Sequence, residues 1–172
     1  MKRLHIIGRK NHGKTTLLVE LTEYLSAQGL RVGAIKHTHH AHELDTPGKD
    51  SHRHRMAGAS VTAILSRSMN AVFWPPRAEE EGSDRYATFA PHFADCDLVL
   101  VEGDTLCEGV KIEVWRAAVG SEPMALGDPK IRAVITDDAV DVSVPTVPRQ
   151  EIAAIATKVL ELVGLPPGTN LR

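Results

Sequence analysis

The run Gly8-Arg9-Lys10-Asn11-His12-Gly13-Lys14-Thr15-Thr16 satisfies G-x-x-x-x-G-K-[ST] in full. These residue types at this spacing cradle phosphate. Gly8 and Gly13 let the backbone curl so that successive N–H groups point inward at phosphate oxygens. Asn11 and His12 lie within the curl and are counted with Gly8, Gly13 and Thr16 among the nucleotide-binding residues. Lys14 reaches the β- and γ-phosphates, so it serves binding and phosphoryl chemistry together, and the Thr15 hydroxyl is a ligand for Mg²⁺. A second chemical signal is Asp97-Leu98-Val99-Leu100-Val101-Glu102-Gly103, an apolar run ending in a carboxylate. Placed beside the phosphates, Glu102 orients the Mg²⁺ shell or the attacking water, which makes it a candidate metal-proximal and catalytic group. Gly103 lets the chain leave sharply at that point.

The elements that must position these groups are legible on both sides of the loop. Leu4-His5-Ile6-Ile7 reads as a buried strand, and Thr16 to Leu25 carries apolar residues at helical spacing. Strand, glycine loop and helix together give the motif its mechanism, because the helix adds the positive end of its dipole to the phosphate site. Downstream, 31–36 predicts a second strand and Asp50 or Ser51 caps a short helix to about Ala57. Val61–Leu65 and Ala71–Trp74 predict a hairpin, and Glu79–Asp84 an acidic connector. Arg85 to about Ala94 reads as a helix disturbed by Pro91. Leu98–Val101 is fully apolar, as in the middle of a parallel sheet. Val110–Trp115 alternates, which predicts one face in solvent or covered by a partner. Ile131–Thr136 predicts another strand, Val142–Pro145 a short edge strand, and Glu151–Val163 a final amphipathic helix. The expected architecture is α/β: a three-layer phosphate-loop nucleoside-triphosphatase-like (P-loop NTPase-like) fold with a mostly parallel sheet and additional antiparallel strands. One domain is expected over 1–165, with 166–172 as a loose tail.

Lys36 to Arg55 holds six of the chain's nine histidines, with cations interspersed. Three readings compete for it. As a metal site, His-x-His-His-x-His with Asp45 offers imidazole and carboxylate ligands. As an anion-binding surface, it offers Lys36, Lys49, Arg53 and Arg55 at the carboxyl end of a strand, where parallel sheets bind ligands. As a connector, it is a solvated loop. In the anion reading Lys49 and Arg53, four apart, share a helix face, and capping by Asp50 and Ser51 leaves N–H groups for a second anion.

The composition excludes several classes. A net charge of −2 over 172 residues gives no general case for nucleic acid or membrane surface. Two cysteines, Cys96 and Cys107, make no disulfide scaffold, and a nucleotide-binding loop implies a cytoplasmic supply of nucleotide. No apolar run approaches the ~20 residues that span a bilayer, and no signal peptide precedes the first strand.

Taken in order, Lys36-His37-Thr38-His39-His40, Asp45-Thr46-Pro47-Gly48-Lys49-Asp50-Ser51, Ala57-Gly58-Ala59 and Asp97 to Gly103 resemble the molybdopterin-guanine dinucleotide biosynthesis protein B family over residues 3 to 138. The resemblance implies GTP binding with weak GTP hydrolysis and a homodimer. It also implies assistance to the molybdenum cofactor guanylyltransferase that joins GMP to molybdopterin, with molybdopterin itself a further candidate ligand. Gly8, Gly13, Lys14, Thr15, Thr16 and Glu102 fall on the family's nucleotide positions. His37, His39, Asp45, Gly48, Lys49, Asp50 and Ser51 fall on its signature loop. The chain departs from the family pattern where Asp104-Thr105 replaces Phe-Lys after Gly103, which removes a cation expected near the phosphates.

Guanine choice has no local Asn-Lys-x-Asp signature. A carboxylate can accept from the two guanine N–H groups, which adenine lacks as a pair, and Asp137 at the end of the 131–136 strand is placed to do so. Two other functions fit the same residues: a small-molecule kinase holding its acceptor with the histidine-rich loop and Asp50, and a metal-delivery GTPase using the histidines.

Overall fold

The computed structural model describes residues 1–38, 40–76 and 84–166. The chain divides into two compact units: Met1–Thr38 with Thr88–Arg172, and His39–Ala87. The expectations for His39, for Glu79–Ser83 and for the tail from Pro167 onward fall outside the described residues.

The first unit is a six-stranded parallel sheet. Its strands are β1 (Arg3–Ile7), β2 (Val32–Lys36), β5 (Leu98–Glu102), β6 (Lys111–Val114), β7 (Ile131–Ile135) and β8 (Thr146–Val147), in the order β2-β5-β1-β6-β7-β8. Every pairing is parallel. Alternation sorts the strand side chains between two faces. Leu4, Ile6, Leu98, Leu100, Ile112, Val114 and Ile135 enter one core with Leu17, Leu21 and Leu25 of α1 (Lys14–Ala27) and Ile155, Ala156 and Val159 of α3 (Ile152–Leu162). Ile7, Trp115, Ala125, Ile131 and Val134 form a smaller core with Val140, Val142 and Val144. Fully burying each such side chain contributes about 1.5–3 kcal/mol, so the central strands that carry the site are the most firmly held part of the unit.

The second unit holds α2 (Asp50–Met56) and an antiparallel pair, β3 (Thr62–Ile64) with β4 (Ala71–Phe73), in which Ala63 faces Val72. The expected α/β fold, mostly parallel with an additional antiparallel pair, is the one observed.

Four local expectations need correction. β6 is not a half-exposed strand: it lies between β1 and β7, and all four residues are buried. Its polar side chains are paired inside the protein. Lys111 Nζ donates to the Thr105 carbonyl at 2.8 Å and to Asp128 at 2.7 Å. The Glu113 carboxylate accepts the amides of Met124 and Ala125 at 2.8 and 2.9 Å, although burial pushes its pKa above the ordinary value. The edge strand is Thr146–Val147 rather than 142–145, whose valines pack into the smaller core. Arg85–Phe93 is 3-10 rather than α-helical, consistent with Pro91, which has no N–H to donate. Finally, α2 is capped by Lys49, with no side-chain cap. Ser51 turns back to donate to Asp45 Oδ1 at 2.9 Å.

Candidate functional site: a phosphate loop and an adjoining cavity

The loop between β1 and α1 has the backbone its sequence requires. Gly8 has φ +141°, and a Cβ there would lie 2.4 Å from the Val114 carbonyl oxygen. No other residue fits, because β6 passes directly against the loop. Asn11 (φ 69°) and Gly13 (φ +97°) are also left-handed, a conformation that suits Gly and is tolerated by Asn. Gly13 is the N-cap of α1, and no side chain caps that end, so the N–H groups and dipole of the first turn face the loop's concavity.

The chemically active side chains gather at this mouth. Thr15 Oγ1 donates to Glu102 Oε1 at 2.7 Å. Lys36 Nζ, at the end of β2, bonds the same oxygen at 3.1 Å. The register explains the meeting, since Lys36 pairs with Glu102 and Glu102 with Ile6 across three adjacent strands. Lys14 Nζ folds over the loop onto the Arg9 carbonyl at 2.8 Å. Desolvation lowers its pKa, Glu102 opposes that shift, and Lys36 adds to it. Gly103, with φ +88°, turns the chain out of β5 against the His37 carbonyl, and His37 N donates to the Glu102 carbonyl at 2.9 Å. His37 therefore adjoins the Glu102 end of the site through its backbone. Thr15 and Glu102 supply hard oxygen donors side by side, the donor type Mg²⁺ takes, so these residues fit the ion expected there.

His12 plays a different part from its neighbours. It is 1% exposed. Its Nδ1 accepts the Arg116 amide at 3.0 Å, and its Nε2 lies 3.0 Å from Ser121 Oγ. With Nδ1 accepting, the proton sits on Nε2 and donates to the serine. Burial depresses its pKa, and Lys14, Arg9 and Arg116 depress it further. His12 thus ties the loop to the segment after β6, and its imidazole is committed to protein partners.

Beside the loop, a cavity of about 790 Å³ is lined by residues that include Gly13, Thr16, Tyr24, Arg116, Asp137 and Arg149. Asp137, at the carboxyl end of β7, accepts the Gln150 amide at 3.3 Å through one oxygen. Arg149 pairs with Glu20 at 2.7 Å. The structure therefore brings Asp137 and Thr16 into one cavity that opens from the phosphate loop. Tyr24, Arg116 and Arg149 were not singled out from the sequence. They carry no motif, and they meet only because α1 and the segments that follow β6, β7 and β8 line the same cavity.

Beyond His37, the signature loop lies in the second unit and is organised around its carboxylates. Asp45, 7% exposed, accepts from the Thr46 amide at 2.8 Å as well as from Ser51. Glu43 accepts Arg55 through both oxygens at 2.6 Å, and the Arg55 hydrogen bond is the largest cause of its lowered pKa. Arg53 lies 3.8 Å from Asp50. Asp45, Ser51 and Arg55 thus serve the loop's own shape, while Lys49 and Asp50 are exposed. Among the described residues, the one cluster with metal-ligating potential is His5, Asp104 and Cys107, outside this loop.

Comparison with known proteins identifies the family. Residues 3–137 match the family described as Molybdopterin guanine dinucleotide synthesis protein B, MobB. The chain is 37% identical over 150 residues to the molybdopterin-guanine dinucleotide biosynthesis adapter protein of Escherichia coli (strain K12), covering 87% of this chain and 86% of that one. It is 34% identical over 141 residues to the protein of the same name from Haemophilus influenzae, covering 81% and 76%. A crystal structure of molybdopterin-guanine biosynthesis protein B superposes with a TM-score of 0.69 at 28% identity, covering 94% of this chain and 99% of that one. The MobB homologue from Bacillus stearothermophilus, at 23% identity and a TM-score of 0.64, shares the fold. On the family match over most of its length and on relatives this similar, the chain belongs to the MobB family.

Proposed function

We propose that this protein is a GTP-binding adapter of molybdopterin-guanine dinucleotide biosynthesis, with slow GTP hydrolysis. The observation that carries the reading is the Thr15 hydroxyl seated on the Glu102 carboxylate at 2.7 Å, at the head of a helix that no side chain caps. A triphosphate placed in the loop meets backbone N–H groups, Lys14 and Lys36, whose combined charge suits phosphate. Lys36 offsets the cation missing where Asp104-Thr105 stands. Mg²⁺ held by Thr15 and Glu102 would supply charge neutralisation at the phosphates. The chain's own part is to hold that carboxylate and hydroxyl together and to keep Lys14 at the loop.

Asp137 in the adjoining cavity supports guanine over adenine, because a carboxylate can accept both guanine N–H groups at once. Hydrolysis without a partner is slow, since the described mouth offers Lys14 and Lys36 but no arginine directed at the Thr15–Glu102 pair. Unassisted phosphate-loop switches turn over at about 10⁻⁴–10⁻² per second. We assign the exposed Lys49 to contact with the pathway's phosphate-bearing components, the guanylyltransferase complex or molybdopterin, and place the protein in the cytoplasm with its nucleotide. Among the described residues, no helix is long and apolar enough to cross a membrane.

The test is an assembly assay with a guanylyltransferase, MgGTP and molybdopterin. Added wild-type protein raises formation of the guanine dinucleotide, and Lys14→Ala does not. Lys49→Ala impairs the stimulation while leaving GTP affinity within a few-fold. Stimulation that survives Lys14→Ala would separate the adapter role from nucleotide binding and refute the reading.

A further inference from the structure

His5, Asp104 and Cys107 come from separate parts of the first unit and converge on one point. His5 lies on β1, on the face away from α1, while Asp104 and Cys107 lie on the turn that follows β5. One ligand atom from each lies within 4.8 Å of the others, and all three residues are buried.

The surrounding backbone holds this meeting in place. Gly103 and Asp104 are successive left-handed residues, with φ of 88° and 61°, and for a non-glycine residue that conformation is uncommon. They fold the chain back toward β1. Gly109 then crosses the imidazole so closely that a Cβ there would lie 3.2 Å from Cδ2 and Nε2 of His5. Lys111 pins the turn from below through the Thr105 carbonyl and is itself neutralised by Asp128.

We propose that His5, Asp104 and Cys107 form a binding site for a divalent cation of the zinc class, distinct from the Mg²⁺ site of the phosphate loop. One nitrogen, one carboxylate oxygen and one sulfur make a donor set that zinc accepts and magnesium does not. A neutral imidazole, a carboxylate and a thiolate sum to −2, equal and opposite to the ion's charge; of the nearby cations, Lys111 is paired with Asp128, and Arg3 is a further cation acting on His5 and Cys107. On ligation the Cys107 thiol proton passes to solvent. Tetrahedral zinc draws its ligands to about 3.5 Å apart, so side-chain adjustments of about an ångström complete the geometry, and three protein ligands leave a fourth position for water. Bound metal cross-links β1 to the turn beyond Glu102 and so stiffens the chain on which the phosphate-proximal carboxylate sits.

The test uses the untagged full-length chain, stripped with chelator and dialysed against Co²⁺ or Zn²⁺. The expected result is one equivalent of metal retained, with a thiolate-to-cobalt charge-transfer band in the near ultraviolet and a higher melting temperature with zinc. Cys107→Ser and the near-isosteric Asp104→Asn, each checked as folded by circular dichroism, weaken binding at least about tenfold. Cys107→Ser loses the band, and Cys96→Ser retains it. Cobalt bound without a thiolate band would place the metal on the histidine-rich segment and overturn the proposal. So would a band that persists in Cys107→Ser, or no metal retained by the wild type.

Discussion

Lys14 and Thr15 sit at the start of the same helix but meet different partners, and their substitution should read differently. Lys14→Ala removes a charge from the loop, and Thr15→Ala removes the hydroxyl on Glu102. Each should weaken triphosphate binding by roughly 10- to 150-fold, since a charge-assisted contact is worth about 1.5–3 kcal/mol. Thr15→Ala should also weaken the Mg²⁺ dependence of binding. Glu102→Gln keeps the shape of the site and should lower hydrolysis more than GTP affinity, as followed by single-turnover kinetics. His12 makes a pH prediction. Its folded pKa is depressed, so its contribution to stability is present above the unfolded value of about 6.5 and is lost as pH falls below it. Protonation would put a hydrogen on the nitrogen that now accepts the Arg116 amide. Denaturant unfolding should therefore show stability declining from pH 7 to pH 5, with a shallower decline in His12→Asn; equal slopes would show that His12 does not carry the effect. At this scale the sequence was readable where a motif fixes both residue type and backbone. Gly8 and Gly13 are such positions. It was silent on Arg116, Arg149 and Tyr24, whose neighbourhood exists only after the strands are ordered.

Among the elements, β6 shows most clearly how a pattern can mislead. Its alternation of polar and apolar residues would put one face in water, yet both faces are buried because Lys111 and Glu113 find charged or amide partners within the unit. Periodicity reports side-chain polarity, and polarity implies solvent only when no internal partner exists. Glu113→Ala should leave two amides without their acceptor and cost about 1–3 kcal/mol for each, measured by denaturant titration, whereas Glu113→Gln should cost less. β5 was the opposite case. Four consecutive apolar residues ending in Glu102 predicted a central parallel strand, and the strand lies between β2 and β1. The short helix α2 was placed correctly by its breakers, but its cap was not. Ser51 donates instead to Asp45, six residues upstream in the same loop, a pairing that the helix-capping rules do not contain.

For the molecule as a whole, we propose a homodimer. β6 offers no edge to a partner. Val72 of the β3–β4 pair and its neighbour Leu65 remain exposed, and exposed apolar residues on a short sheet favour self-association. Light scattering at tens of micromolar should give twice the chain mass; the mass of one chain would count against the dimer. The central claim is guanine nucleotide binding at the phosphate loop. It is tested most directly by calorimetric titration of the purified wild-type chain with MgGTP and, separately, MgATP, alongside Lys14→Ala. One GTP per chain, bound more tightly than ATP and lost by at least about tenfold in Lys14→Ala, is the predicted result. No heat with GTP, or an affinity that Lys14→Ala leaves unchanged, would contradict it.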